Sequence, residues 1–166
     1  MAYRVFNESQ TYRGTWVAYF LLLVELPTLL LLLFFFFTAE DKSEMGIALS
    51  VMIVVMGGIF LFIFNLKLET RIDEAGVSFR FFPFINSWRK YTPEQIQSIQ
   101  VINYSPITDY GGWGLKGNKT TKAYSILGDE GLLLDVGEKK KIMIGTMKAK
   151  ELKEFIENWR EGNHGS

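Results

Sequence analysis

Few residues in this chain can make or break bonds, and their types narrow the field before any fold is considered. There is no Cys, and the one His, His164, stands in the terminal stretch GNHGS. That removes a thiol nucleophile, a disulfide and the usual donor set for a transition metal. Carboxylates, Lys, Tyr and Ser remain, yet no two carboxylates and no nucleophile with its base are singled out by spacing. The sequence is therefore read as a non-enzyme, with no catalytic residue, no cofactor and no metal site.

Three groups of residues could instead recognise something. Residues 112–117, GWGLKG, match G-x-G-x-x-G. That pattern holds a pyrophosphate only between a strand and the N-terminus of a helix. Here a polar stretch with Lys119 and Lys122 follows, and Asn118 interrupts the near match to a P-loop, so the glycines are read as turn-makers around Trp113. In the same loop Tyr110, Trp113 and Lys116 are candidate contacts for a partner protein, since aromatic and cationic side chains suit such contacts. A second group, Lys119, Lys122, Lys139, Lys140 and Lys141, is a candidate lipid-facing basic edge. Anionic headgroups could favour each such Lys by on the order of 1 kcal/mol; solvated turn charges are the plainer reading.

The third group lies in an apolar setting. Glu25 stands midway along a run with no other charge, and Pro27 removes the amide that the carbonyl of Leu23 would accept from. An antiparallel return of the chain brings Gly57 and Gly58 to the same level. Paired glycines let a neighbouring backbone approach. Glu25, Pro27, Gly57 and Gly58 are thus a candidate intramembrane polar site, the carboxyl expected to bond the glycine backbone or a second copy of the chain. A packing and kink device is the first reading; lipid recognition or small-solute and ion transport around Glu25 is the alternative.

The elements that must position these groups begin with two apolar runs, 16–37 and 46–65, the first with one charge and the second with none. An α-helix rises about 1.5 Å per residue, so each can cross a hydrocarbon core of about 30 Å. Neither run alternates as a lipid-facing strand does. The first is too long for a signal-peptide core and lacks a small-x-small cleavage pattern. Arg4 and Arg13 precede the first span, and Lys67 and Arg71 follow the second. The connecting residues carry Glu40, Asp41 and Glu44 against Lys42. The positive-inside rule then places both termini of this expected integral membrane protein in the cytoplasm and the short acidic loop outside.

From Leu66 onward the pattern changes to period two. Leu66, Leu68, Thr70 and Ile72 alternate with Lys67, Glu69, Arg71 and Asp73, and Gly76 closes a turn. Strands follow near 77–81, 87–91, 97–103, 121–127, 131–136 and 140–145, with a long loop over 104–120. Thr146 caps a helix over 147–161, whose apolar stripe is Leu152, Phe155, Ile156 and Trp159. Residues 3–6 could add an edge strand. The fold class expected is α+β: a two-helix transmembrane hairpin, then a seven-stranded antiparallel barrel or sandwich closed by a C-terminal helix. Its divisions are a juxtamembrane segment 1–15, the hairpin 16–65, a β-rich domain 66–161 and a disordered tail 162–166.

TRIDEAGVSFRF, YTPEQIQSIQV, GGWGLKG, AYSILGDEGLLLDVGEKKKIMIGT and KELKEFIENW together resemble the bacterial PH-like (pleckstrin-homology-like) domains of small membrane proteins. The likeness spans 66–161, and a preceding pair of membrane helices matches it in layout. It implies two nearly orthogonal sheets, a C-terminal helix, membrane association and no enzyme activity. Where phosphoinositide-binding members carry Lys and Arg at the first hairpin turn, this chain has Asp73 and Glu74, which argues against that ligand. With no linker after residue 65, the domain stays within about a Debye length, ~10 Å, of the bilayer. The function expected is a membrane-anchored interaction or assembly module on the cytoplasmic face, binding a partner protein or a second copy. Nucleic acid is not expected as a partner, because residues 66–166 carry a net charge of only +2 and no stacking platform.

Overall fold

The computed structural model describes the backbone of residues 5–164 and side chains through Trp159. Residues 3–4 of the expected edge strand, residues 165–166 of the expected tail and the side chain of His164 lie outside the described residues. Contacts divide the chain into two compact units, Thr11–Leu66 and the remainder.

The first unit is a pair of helices, α1 (Trp16–Thr38) and α2 (Lys42–Asn65), both long and apolar enough to cross a membrane. Their connection is three residues, shorter than the eight expected. The Asp41 carboxylate accepts hydrogen bonds from the amides of Ser43 (2.9 Å) and Glu44 (3.2 Å), so the polar residues before Gly46 become the first turn of α2. Phe36 lies over Gly46, 3.5 Å from where a β-carbon would stand. At the other end the Arg13 guanidinium donates to the carbonyl of Phe64 (3.0 Å), a cation on the last turn of a helix. No side chain of α2 is buried, and Leu23, Phe37 and Val54 are among the most exposed apolar side chains of the chain.

The second unit holds two sheets and two helices. One sheet has four strands in the order β1 (Phe6–Thr11), β2 (Lys67–Asp73), β3 (Gly76–Phe82) and β4 (Ile85–Tyr91). The other runs β5 (Ser98–Asn103), β8 (Glu130–Asp135), β9 (Lys141–Thr146), β7 (Thr121–Ser125) and β6 (Gly114–Gly117). Helix α3 (Pro106–Tyr110) precedes β6, and α4 (Ala149–His164) ends the chain. The alternation read in 66–73 holds: Leu68, Thr70 and Ile72 are buried, opposite Phe81, Phe79 and Val77 of β3. Phe79 and Phe81 then meet Tyr124 of β7, at 4.9 and 6.3 Å between ring centroids, and join the two sheets into one core. Leu152 and Ile156 of α4 are buried, and the Trp159 indole donates to the carbonyl of Asp73 (2.9 Å).

Three expectations are corrected. Among the described residues the strands number nine in sheets of four and five, not seven, and no barrel closes. One of the two added strands, β6, uses the glycines of the long loop. The other, β1, turns Phe6, Glu8 and Gln10 inward. Nor are the sheets wholly antiparallel: β9 lies between β8 and β7 and pairs with β7 in parallel. Helix α4 also continues past Gly162 to His164, where the tail had been expected to begin.

The addition of β1 changes the topology. It lies beside β2, and the whole of α1 and α2 is inserted between these two neighbouring strands. Glu8 fastens β1 to the other end of the chain: its carboxylate accepts from the Thr146 hydroxyl (2.6 Å) and from the Met147 amide (2.7 Å), just before α4. Gln10 donates to the carbonyl of Gly145 (2.7 Å), and the Phe6 ring packs 6.0 Å from that of Phe155.

Candidate functional site

The loop expected over 104–120 is folded. Pro106 opens α3 and Gly111 ends it in the left-handed conformation, φ 76°, which glycine adopts at little cost. The chain then enters β6, paired to β7 with Lys116 opposite Ala123 and Leu115 opposite Tyr124. Tyr110 is half-buried, its ring 5.6 Å from that of Tyr104, in a cluster with Ala123 and Met143. Burial pushes the hydroxyls of both Tyr104 and Tyr110 above the usual phenol range. Trp113 is tied down as well, donating from its indole to the carbonyl of Gly128 (2.9 Å). Of the three residues expected to meet a partner, Lys116 is the exposed one; the two aromatics hold the loop to its own domain. Sequence reasoning missed the apolar side chains that are exposed here, Ile107 on α3 (69%) and Leu115 on β6 (42%). Strand β6 is also an edge of its sheet, so among the described residues one side of its backbone has no neighbouring strand.

The basic residues 119, 122 and 139–141 come to one end of that sheet, with Thr121 opposite Lys141 and Gly117 opposite Lys122. Their charges are partly answered within the domain. Lys122 pairs with Glu138 (3.3 Å), Lys141 with Asp135 (3.2 Å), and Lys140 donates to the carbonyl of Asn118 (2.7 Å). The Gly137 amide, with Lys141 beside it, holds the Asp135 carboxyl below its ordinary value. Lys119 and Lys139 have no polar contact recorded among the described residues.

In the helix pair, Glu25 is half-buried and makes no hydrogen bond among the described residues. A β-carbon built on Gly57 or Gly58 meets nothing within 4 Å. The glycine pair therefore does not receive the neighbouring helix, as had been expected; the close approach is at Gly46. Pro27 sits inside α1, which continues through it, and Thr28 donates from its hydroxyl to the carbonyl of Val24 (2.8 Å).

The outer face of the four-stranded sheet is charged. Glu69 takes both Lys67 (2.7 Å) and Arg80 as partners, and Arg71 pairs with Asp73 (2.9 Å). Beside them the Arg80 guanidinium lies 4.9 Å over the Trp88 ring. Among the described residues no group of His, Asp or Glu is arranged to hold a metal ion. Compared with family models, curated proteins and solved structures, the chain finds no match.

Proposed function

We propose that this chain is an integral membrane protein whose β-rich unit is an interaction module, with both termini on the cytoplasmic side. The observation that carries this reading is the insertion of the helix pair between β1 and β2. A tail anchor would leave the domain on one flexible tether. Here four residues, 12–15, join β1 to α1, and Leu66 alone joins α2 to β2. A residue spans at most about 3.5 Å, so the start of β2 lies within about 7 Å of the end of α2. Two short connections to adjoining strands restrain where the sheet can go, which suits a module that must present a fixed surface at the membrane. The exposed apolar side chains of α1 and α2 support their placement in lipid, since an aqueous surface rarely carries so large a patch. The orientation rests on the charge asymmetry around the spans, and a bacterial inner membrane is what the resemblance to bacterial PH-like domains implies.

The surface we assign to the partner is the free edge of β6, with Leu115, Lys116 and the nearby Ile107. An open strand edge takes an added strand through backbone hydrogen bonds, and exposed apolar side chains beside it give selectivity. A second copy of the chain or a different membrane protein can supply that strand. Because the chain has no Cys, a benzophenone attached to Leu115→Cys reports one position. In native membranes it should give one discrete photoproduct, lost on Ile107→Asp, whose mass tells a second copy from another protein. The same background smear from Leu115→Cys and from a control Lys150→Cys on α4 would remove β6 from the proposal.

A further inference from the structure

Strand β3 ends in Phe82, β4 begins at Ile85, and the turn between them is Pro83-Phe84. Phe82 is 43% exposed and Phe84 50%, while Trp88, further along β4, is 38% exposed. Phe84 stacks on Phe81 (5.7 Å between ring centroids) and Trp88 lies under the Arg80 guanidinium, yet all three rings keep a third or more of their surface exposed, whereas the neighbouring β2 buries every second residue. The register locates this turn. Phe82 is the partner of Lys67, the first residue of β2, and Lys67 follows the last residue of α2, Asn65, with one residue between. Antiparallel partners have Cα atoms about 5 Å apart, and two residues of chain reach at most about 7 Å. Phe82 therefore lies within about 12 Å of the end of α2, whatever direction the sheet takes from the helices. The opposite turn, Glu74-Ala75, is at the far end of strands of seven residues, about 20 Å away.

We propose that the β3–β4 turn is a third point of contact with the membrane, Phe82 and Phe84 entering the headgroup layer of the bilayer that α1 and α2 cross. The proposal rests on that crossing and adds to it. The surroundings fit a headgroup layer better than a protein partner. Lys67 and Arg80 share one carboxylate, Glu69, and so leave a positive balance near the turn; Arg89 and Lys90 lie further along β4, opposite Phe79 and Ser78. Phe beside Trp, with cations around them, is the composition of a segment that lies in the interface with its apolar side about 5–10 Å into the boundary. The contact would fix the tilt of the sheet and with it the direction in which the β6 edge points.

The absence of native Cys allows a direct test on the full chain in vesicles of phosphatidylcholine and phosphatidylglycerol. A nitroxide is placed in turn at Phe84→Cys, at Glu74→Cys and, as a mid-span control, at Val55→Cys. Accessibility to oxygen and to a water-soluble nickel complex gives the depth of each. The expected order is Val55 deepest, Phe84 within about 10 Å of the headgroup–acyl boundary and shielded from nickel, and Glu74 fully aqueous. A Phe84 label as nickel-accessible as Glu74, with Val55 still deep, overturns the proposal and leaves the two spans standing. A Phe84 label shielded from both oxygen and nickel also overturns it, since that is burial under protein. An aqueous Val55 label refutes the crossing itself. Circular dichroism checks folding, and if Phe84→Cys misfolds, the exposed Asn86→Cys replaces it, expected at the headgroup level and less nickel-accessible than Glu74.

Discussion

Replacing Glu8 by Ala is expected to cost this protein far more than its position in a polar N-terminal segment implies. The side chain is buried, 7% exposed, and its carboxylate is the acceptor for the Thr146 hydroxyl and the Met147 amide. Hydrogen bonds to a charged group contribute roughly 1.5–3 kcal/mol each. Removing the acceptor leaves the Thr146 hydroxyl, itself buried, without a replacement, whereas water can reach the more open Met147. The loss should be about 2–4 kcal/mol after that discount. A domain of about 100 residues shifts by roughly 4 °C per kcal/mol, so the midpoint of melting should fall by about 8–16 °C.

Glu8→Gln separates the bonds from the bulk. Its amide oxygen can still accept from Met147, and its NH₂ can donate to the Thr146 oxygen, so the cost should be near 1 kcal/mol. Thermal melting in detergent, followed by intrinsic fluorescence, is a suitable assay because three of the four Trp, at 88, 113 and 159, belong to the β-rich unit. An Ala variant within about 1 kcal/mol of the parent would refute the argument. So would a Gln variant as unstable as Ala, because burial of the side-chain stem and not the paired bonds would then be what matters.

Acid should weaken the β-rich unit partly through Glu69. The hydrogen bond from Arg80 holds its carboxyl below the ordinary value, against the opposing effect of burial and with help from Lys67. A lowered native value means that the stabilisation is complete above the ordinary carboxylate range and is lost as the pH falls through it to the native value. Melting midpoints from neutral to acidic pH should therefore drop less steeply in Glu69→Gln, and equal slopes would exclude this contribution. In the helix pair, Glu25→Gln should leave stability in mixed micelles unchanged within about 1 kcal/mol, because the carboxyl makes no hydrogen bond among the described residues. A larger loss, or a change in oligomer size by cross-linking, would reveal a partner carboxyl contact in a second copy.

The parts that could be read from the sequence are those where one physical demand dominates. Long apolar runs with at most one charge mark α1 and α2, and strict alternation marks β2. The spacing of Leu152, Phe155, Ile156 and Trp159 marks the helix that covers the core. The N-terminal edge strand read at 3–6 is described at Phe6–Thr11, and the extent of β1 escaped because its inward positions are Phe6, Glu8 and Gln10, so alternation of hydropathy is absent although alternation of burial is complete. Its partners, Thr146, Met147 and Gly145, are more than 130 residues away, and no local pattern announces them. Strand β6 was hidden by the same glycines that allow its turns, and Trp113 and Tyr110 looked like free contacts because a half-buried, hydrogen-bonded ring and an exposed one have the same spelling. The parallel pairing of β7 with β9 depends on strand order, which hydropathy does not encode.

Strand β1 also changes what the helix pair means. Without β1, the helices would be an N-terminal anchor that could be exchanged for any other. With β1 paired beside β2 and locked by Glu8 to the threshold of α4, they are an insertion in a sheet, and the domain cannot be complete until residues on both sides of them have met. The chain order then requires β1 to wait, through the synthesis of both apolar helices and of every later strand, for the Gly145–Met147 segment that satisfies Glu8 and Gln10. Local contacts form sooner than distant ones, so the β2–β3 hairpin and the helix pair should be in place before β1 closes the sheet. Pairing of α1 with α2 brings the two chain segments that flank them together and would thus lower the entropy of the longest closure in the fold.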